Sequence, residues 1–266
     1  MPLPILSPTD QPTAQTLVRL FHQTETNWLR HLAEEQVLDW GTALFNPQLP
    51  QAPQANLIMD ARLPTGMEPP EAIAFAQEFY QERGTSLGGL IPSPSDASEA
   101  LVNYLLSQGW SVDSREILRL ARFPGTFAIT APPDIKIIPA RASFRHARQL
   151  AEEKSGGNAE QTDAALLHLD DPHVDALLAL RDGHAVAGIS VLAMGEIGRI
   201  EQLYVAEKHR RRHLGTLMVN RALEICARAL FKHVLLASSS EQAAQALFKQ
   251  SGFEAVGSIR FCRAPR

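Results

Sequence analysis

The chain has 266 residues, of which 45% are hydrophobic and 20% charged. This composition is ordinary for a globular protein and excludes a disordered, collagen-like or coiled-coil chain. Residues 1–130 contain seven arginines, no lysine and fourteen acidic residues, a net charge of −7, whereas residues 131–266 carry +3. The asymmetry predicts two units with different roles.

The sequence carries no targeting or metal signal. No apolar run reaches the roughly 18–20 residues of a membrane span, and residues 1–5 lack the basic and apolar regions of a signal peptide. Cys226 and Cys262 are too few for a disulfide framework or a structural zinc site, so we predict a reduced, cytoplasmic protein. An acidic first half argues against nucleic acid as a partner. No metal is predicted, because ligand spacing is missing from His168, His173 and His184.

In the first half, residues 57–59 and 116–121 are predicted as strands, and residues 70–83 and 100–106 as helices. A weak repeat relates these segments to the second half at an offset of 143 residues: Gly109-Trp110 aligns with Gly252-Phe253. Chance similarity between two helix–glycine–aromatic–strand units is the alternative. The loop at residues 64–70 has an acid and several prolines, which lack an N–H, so it is not expected to hold a phosphate.

Prolines near residues 124–134 predict a boundary between units 1–130 and 131–266. Beyond it, strands are predicted at residues 135–138, 173–180, 185–192 and 199–205, and helices at residues 142–154 and 163–168. Asp182-Gly183 predicts a hairpin turn between two of the strands.

In the last third of the chain, the sequence pattern predicts elements in the order strand, helix, strand, helix, strand. Apolar residues recur at helical spacing from Leu214 to Ala229, which predicts a helix packed on a sheet. A strand follows at residues 233–237. Ser238-Ser239-Ser240 is predicted to cap the next helix, with Glu241 or Gln242 completing a capping box, and a last strand begins at Phe253. This order predicts a mixed α/β unit.

The most specific functional motif in the sequence is the strand–loop–helix junction at residues 205–215. A loop that opens a helix leaves several backbone N–H groups unpaired, and these groups bind anions together with the helix dipole. Lys208 and Arg210–Arg212 add positive charge, which suggests a diphosphate-bearing ligand. A nucleic-acid patch is the alternative. Neither a Walker loop nor a dinucleotide-binding glycine motif is present.

This segment resembles the acetyl-CoA-binding motif of the GNAT superfamily of N-acetyltransferases, [QR]-x-x-G-x-[GA], at Arg210, His213 and Gly215. Residues 244–253 resemble the second motif of that family. The resemblance covers residues 134–264 and implies a mixed α/β fold, a GNAT-like twisted mixed sheet flanked by helices. With the repeat, it implies two tandem units: residues 131–266 as the N-acetyltransferase domain and residues 1–130 as a degenerate GNAT-like or accessory domain.

Three positions depart from the family pattern. His213 replaces the first glycine, where a side chain is unfavourable if the backbone must adopt a positive φ. Phe248 stands where many members carry a tyrosine that protonates the leaving thiolate, and Glu241 replaces a common asparagine. These departures bear on catalysis more than on cofactor binding.

The resemblance implies acetyl-CoA as cosubstrate, without a metal. The pyrophosphate would lie on the amides of residues 211–216, and the thioester carbonyl would meet a backbone N–H near residues 203–205. The implied cofactor-binding residues are Leu203, Tyr204, Val205, Arg210, Arg211, Arg212, His213, Leu214, Gly215, Thr216 and Phe248.

Glu201 is the candidate general base that removes a proton from the attacking amine. Strand alternation predicts that Glu201, Leu203 and Val205 share one face. The alternative is that Glu201 is only a solvated edge charge. Gln202 is a second candidate that would order a water on the other face. Tyr204 is a candidate general acid, although a core or rim role is favoured.

The sequence therefore predicts an acyl-CoA-dependent N-acyltransferase that transfers acetyl directly to an amine of a small molecule or peptide. A non-catalytic acyl-CoA-binding sensor or regulatory module is the first alternative. A scaffold whose basic loop binds an acidic partner is the second. Neither nucleic acid nor a membrane is an expected partner, and the identity of the amine and the oligomeric state remain open.

Overall fold

A sheet of eleven strands organises the computed structural model, which describes residues 12–95, 98–123, 130–239 and 241–265. Within these residues the helices are α1 (Ala14–Arg30), α2 (Pro69–Glu82), α3 (Glu99–Ser107), α4 (Phe144–Ser155), α5 (Ala159–Leu166), α6 (Leu214–Arg228) and α7 (Gln242–Gln250). The strands are β1 (Glu34–Leu38), β2 (Gly41–Phe45), β3 (Leu57–Ala61), β4 (Gly89–Pro92), β5 (Ser111–Leu120), β6 (Lys136–Pro139), β7 (Val174–Arg181), β8 (His184–Met194), β9 (Ile197–Val205), β10 (His233–Ser238) and β11 (Phe253–Arg263). The predicted mixed sheet flanked by helices is confirmed.

The two halves of the chain exchange their last strands. The sheet order is β1-β2-β3-β4-β11-β5-β10-β9-β8-β7-β6. Strand β5 of the first half pairs with β10, and β11 of the second half pairs with β4. The two exchanged strands also pair with each other along their length. The sheet is therefore continuous, and each half depends on the other for a central neighbour.

The order of elements repeats along the chain. The series β3-α2-β4-α3-β5 recurs as β9-α6-β10-α7-β11. Helix α3 covers residues 99–107 and α7 covers residues 242–250, so both ends are displaced by 143 residues. This displacement agrees with the offset of the repeat in the sequence.

Helix α1, which lies outside the predicted elements, joins the two halves through a shared core. Thr13 caps its start by accepting a hydrogen bond from the N–H of Thr16. The cluster into which it packs also contains Leu192 and Leu235 of the second half. Its buried apolar side chains are Leu17, Phe21, Trp28 and Leu29.

Of two local predictions, one is confirmed and the other is wrong. The Asp182-Gly183 turn is confirmed, with φ of 50° and 77° at its two residues. The prediction that Ser238-Ser239-Ser240 caps α7 is wrong, since the N-cap residue is Glu241 and its side chain makes no capping hydrogen bond. Ser238 instead completes β10, and Ser240 lies outside the described residues. The predicted boundary falls partly on residues 124–129, also outside them, so the division at residue 130 stays a prediction.

Gly198 allows α6 to pack closely on β9. A Cβ added there would lie 2.5 Å from Phe231 Cδ2 and 2.9 Å from the buried Cys226 sulfur. We expect Gly198→Ala to lower the free energy of unfolding by about 1–3 kcal/mol, because overpacking forces the neighbours to move. Urea denaturation measures the change. Gly215→Ala is the matched control, since its Cβ would meet only the movable end of Leu247 at 3.2 Å. Equal losses in both variants would contradict this explanation.

Candidate active site

A cleft opens where β9 and β10 separate. The two strands run parallel and pair only at Ile197↔His233, Gly198↔Val234 and Arg199↔Leu235. Beyond Arg199, β9 pairs with β8 alone, up to Val205. The edge of β9 that follows Arg199 therefore borders an open gap in the middle of the sheet.

A β-bulge at Gln202 changes which side chains of β9 share a face. Gln202 has φ of 55°, and the pairing with β8 shifts by one residue there. After the bulge, Leu203 and Val205 pack with Ile200 against the α6 core. Glu201 instead contacts Arg199, which faces α1. The prediction that Glu201 shares a face with Leu203 and Val205 is therefore wrong, because one extra residue in the strand reverses the alternation.

The backbone of β9 directs two N–H groups into the cleft. The N–H of Ala206 donates to the carbonyl of Val186 in β8. Because N–H groups alternate between the two edges of a strand, the N–H of Tyr204 also points to β8, and those of Leu203 and Val205 point to the gap. Of the three predicted donors, Leu203 and Val205 are thus suitably directed and Tyr204 is not.

The loop before α6 presents a row of unpaired amides beside this gap. Among the described residues, none accepts a hydrogen bond from the backbone N–H groups of residues 211–216. The next N–H, that of Leu217, donates to the carbonyl of His213 at 3.0 Å. Six consecutive donors at a helix N-terminus form an anion site, which fits the predicted diphosphate.

Positive side chains surround these amides. Lys208 and Arg210–Arg212 are all exposed, and within the described part of the chain none has a carboxylate partner within 4.0 Å. Arg210 Nε donates to the carbonyl of Val205 at 3.2 Å, which places its guanidinium beside the end of β9. These cations favour a multiply charged anion.

His213, which stands at the first glycine position of the motif, adopts the left-handed conformation, with φ of 58°. Histidine is tolerated at positive φ more often than most residues, but at a cost of roughly 1–2 kcal/mol. Its side chain is exposed and does not cap α6. The histidine therefore strains the loop without closing it.

We expect His213→Gly to raise the free energy of unfolding by roughly 1 kcal/mol, because it relieves the left-handed strain. Acetyl-CoA binding should survive, since the cradle uses the backbone N–H. Urea denaturation and calorimetric titration measure the two effects, and His213→Ala, which keeps the strain, is the control. Loss of binding in both variants would show that the imidazole itself contacts the ligand.

Helix α7 forms the wall of the cleft opposite β9. Phe248 is buried and packs edge-to-face on Phe253, with ring centroids 5.8 Å apart. Leu247 lies against Gly215 at the start of α6. Phe248 also lines the central cavity, where its ring offers an apolar surface and no proton.

Both halves of the chain line one large cavity next to the cleft, of about 1410 Å³. It continues from the gap between β9 and β10 to α1, β4 and β11. This volume is enough for a cosubstrate arm and an acceptor. Charged and aromatic side chains in its wall include Glu25, Trp28, Arg115, Lys154, Glu201 and Phe248.

Glu201 is a partly exposed carboxylate of this cavity, with 20% of its side chain accessible. Its Oε1 accepts a hydrogen bond from Arg199 Nε at 2.7 Å and a second from Nη2. Lys154 lies nearby in the wall. Desolvation by the surrounding protein lowers the pKa of Lys154, and Arg115 adds to this effect while Glu201 opposes it. The site thus places a carboxylate where an amine would approach.

His168 supports the bulge from behind. It is buried against Trp28, with ring centroids 4.2 Å apart, and contacts the side-chain amide of Gln202. Burial lowers the pKa of His168 to about 4, against the opposing effect of the Gln202 hydrogen bond, so the ring is neutral at pH 7. Gln202 is thereby fixed by the protein, and its amide holds the bulge.

Other candidate groups are remote or inert. The Tyr204 hydroxyl lies 3.4 Å from Glu153 on the α4 side, and desolvation raises its pKa. Burial raises the pKa of the Cys226 thiol to about 12 and that of Cys262 to about 11. The predicted packing role of Cys226 is confirmed. In the described ranges, no group of three or more His, Cys, Asp or Glu could hold a metal ion, and no helix is long and apolar enough to cross a membrane.

The equivalent position in the first half is closed. Strands β3 and β4 pair at Leu57↔Gly89 and Ile58↔Leu90 and, after a register shift, meet again at Ala61↔Pro92 near their carboxyl ends. Helix α2 begins with Pro69 and Pro70, and its N-cap residue is the acidic Glu68. Two successive prolines in the first turn of α2 remove two N–H groups at this position, and the prediction that the loop does not hold a phosphate rests on that loss.

Splayed central strands beside a donor-rich helix N-terminus define the class of protein, an N-acetyltransferase fold. Residues 142–253 match the model of the acetyltransferase (GNAT) family, and this part of the chain is a GNAT-family domain. The resemblance inferred from the two motifs is confirmed. None of the curated protein sequences compared with the chain matches it.

Solved structures show the same fold over most of the chain. A GCN5-related N-acetyltransferase from Kribbella flavida is 17% identical, with a TM-score of 0.61 over 92% of this chain and 96% of that one. A conserved protein of unknown function from Staphylococcus epidermidis is 13% identical, with a TM-score of 0.63 over 87% and 94%. A tandem GNAT protein from the clavulanic acid biosynthesis pathway is 16% identical, with a TM-score of 0.56 over 78% and 74%. The fold supports an acyl-CoA-dependent acetyltransferase in general.

Proposed function

We propose that the protein is an N-acyltransferase that uses acetyl-CoA to acetylate an amine of a small molecule or peptide. The observation that carries this proposal is the row of six unpaired amides at residues 211–216, beside the gap between β9 and β10. Arg210, Arg211 and Arg212 supply the charge that a diphosphate requires. The first half is proposed to be a second GNAT-like unit without a cofactor site.

The residues that would hold acetyl-CoA are contributed by both walls of the cleft. Amides from Arg211 to Thr216 would hold the pyrophosphate, and Phe248 would pack on the adjoining arm. The N–H groups of Leu203 and Val205 would donate to the carbonyl oxygen. The cosubstrate supplies an acyl group activated as a thioester.

The chain's own contribution to transfer is to hold the amine and take its proton. An ammonium group entering from the cavity meets the carboxylate of Glu201 at the wall. Only the neutral amine attacks, so Glu201 accepts the proton, directly or through a water. Transfer is direct, because both thiols are buried and protonated and neither has a base beside it.

A non-catalytic acyl-CoA sensor is the second candidate, and Phe248 favours it. This residue replaces the family's tyrosine with a ring that has no hydroxyl, and Tyr204 lies on the other face of the sheet. A sensor would use the same amides and arginines for binding and would need no base.

The test is turnover of acetyl-CoA in the presence of a panel of primary amines. Release of the free thiol of CoA and an acetylated product in the mass spectrum would support the enzyme. Binding of acetyl-CoA by calorimetry without turnover would select the sensor. Absence of binding at millimolar acetyl-CoA would overturn both and leave a scaffold whose basic loop binds an acidic partner.

A further inference from the structure

The side chain of Arg199 is fully buried at the point where the cleft begins. It is the last residue of β9 that pairs with β10, and only 1% of its surface is exposed. Its guanidinium lies over the ring of Phe21 in α1, 4.4 Å from the centroid. A buried guanidinium is costly unless its charge and its N–H groups are satisfied, so its partners determine its role.

Those partners belong to α1 and to β9. Arg199 Nη1 donates to the hydroxyl of Thr24 at 3.1 Å, and Nη2 donates to the carboxylate of Glu25. Nε and Nη2 donate to Oε1 of Glu201. One guanidinium therefore binds two carboxylates that are 176 residues apart in the chain, one from each half.

This arrangement fixes Glu201 through one oxygen only. Both hydrogen bonds from Arg199 end on Oε1, and in the described ranges Oε2 accepts none. Since Glu201 lines the cavity, Oε2 remains available there. Glu25, at 5% side-chain exposure, is the second carboxylate on this guanidinium and balances part of its charge.

We propose that Arg199, held by Thr24 and Glu25 of α1, is a positioning residue that orients Glu201 for proton removal. Helix α1 of the first half thus completes the transfer centre of the second half. This inference rests on the proposed function. It explains why α1 buries two polar residues against β9, although apolar residues would pack there at lower cost.

Other charges face Glu201 and stay constant in the test. Lys154 approaches from α4, and neutral His168 lies beyond α5. Arg115 of β5 acts on Lys154 from across the cavity. Glu25→Gln therefore acts on Glu201 in two ways that have the same sign: it removes a nearby carboxylate, and it leaves the charge of Arg199 to Glu201 alone.

The experiment compares Glu25→Gln with the double variant Glu25→Gln/Arg199→Gln. In Glu25→Gln the full guanidinium charge acts on Glu201, which becomes a weaker base. The acid limb of the pH–rate profile should move to lower pH, and kcat should fall roughly tenfold, as for other supporting residues of a site. In the double variant Glu201 loses its guanidinium, and the acid limb should move to higher pH.

Opposite shifts of the acid limb in the two variants distinguish a positioning role of Arg199 from a structural one. A merely structural defect would move the acid limbs of both variants in one direction, or would move neither. Acetyl-CoA affinity by calorimetry should stay within about twofold of wild type in both. Urea denaturation of the ligand-free protein should show that the neutral double variant is more stable than Arg199→Gln alone, which leaves Glu25 buried and unpaired. Glu78→Gln, an exposed carboxylate on α2, is the control and should match wild type.

Two failures are distinguishable. A wild-type protein that neither binds acetyl-CoA nor releases CoA with any amine overturns the proposed function, and this inference with it. A wild-type protein that turns over, with both variants keeping its kcat and pH profile, overturns the positioning role alone. Acid limbs that shift in the same direction in both variants overturn it as well.

Discussion

Replacing Arg210, Arg211 and Arg212 together by alanine is expected to remove most of the stabilisation that acetyl-CoA gives the protein. All three side chains are exposed beside the unpaired amides of α6. Their loss should change the native protein little, since no carboxylate among the described residues pairs with them. It should weaken a diphosphate strongly, because charge-assisted hydrogen bonds carry much of such binding.

The expected size follows from linkage. At about 100 times its dissociation constant, a ligand stabilises the native state by about 2.7 kcal/mol. For a chain of this length that raises the melting temperature by roughly 5–10 °C. If the three contacts together are worth about 2.7 kcal/mol, affinity falls roughly a hundredfold and the gain shrinks below about 0.5 kcal/mol. Thermal melting with and without acetyl-CoA measures both values.

The control is a second triple variant, which removes the same number of positive charges elsewhere on the surface. Arg62, Arg145 and Arg228 are exposed and lie outside the loop segment, with Arg228 at the opposite end of α6. Their replacement by alanine should leave the ligand-induced shift intact. Raising the salt concentration should weaken the binding of acetyl-CoA to the wild-type protein, because salt screens exposed charges. If the loop variant keeps the full shift, the diphosphate does not lie on this loop.

Glu201→Gln is expected to lower kcat by about 10²–10³, which is the usual contribution of a general base. Glutamine keeps an oxygen that accepts the hydrogen bonds of Arg199, so the bulge and the charge partner stay in place while the base is lost. Acetyl-CoA affinity should stay within about twofold, because the amide cradle lies elsewhere. Steady-state kinetics and calorimetry separate the two quantities.

Hydroxylamine, an amine that is neutral at pH 7, tests the reason for the loss. It needs no base before it attacks, and the proton that its nitrogen loses afterwards can go to solvent or to the leaving thiolate, so the variant should lose far less activity with it than with an alkylamine. Glu207→Gln, in the exposed loop after β9, is the control and should behave as wild type. A Glu201→Gln variant within about threefold of wild type with alkylamines would assign the proton to water or to another group.

The cofactor side of the site could be predicted from the sequence because its determinants are local. The spacing of Arg210, His213 and Gly215 places an amide row at the start of an amphipathic helix, and both features are set within a few residues. The structure adds the conformation, with His213 at positive φ. The loss of two amide donors in the first half can also be read from the sequence, since Pro69 and Pro70 have no N–H whatever the tertiary fold.

The acceptor side could not be predicted, because it is assembled from distant segments. Strand alternation failed at Glu201 because the bulge at Gln202 adds one residue to β9, and only the register with β8 reveals that insertion. Helix α1 lies outside the predicted elements, and the burial of the polar Thr24 and Glu25 cannot be read from that segment alone. They are buried only because Arg199, 174 residues beyond Glu25, lies opposite.

The sequence by itself determined most elements of the second half, the row of amides that opens α6 and the pair of prolines that opens α2. Each of these depends on backbone chemistry or on periodicity within one segment. The tertiary structure alone decided that β5 and β11 are exchanged between the halves and that α1 reaches Glu201 through Arg199. Strand neighbours and buried ion pairs are chosen by complementary surfaces far apart in the chain, and local sequence carries no record of that choice.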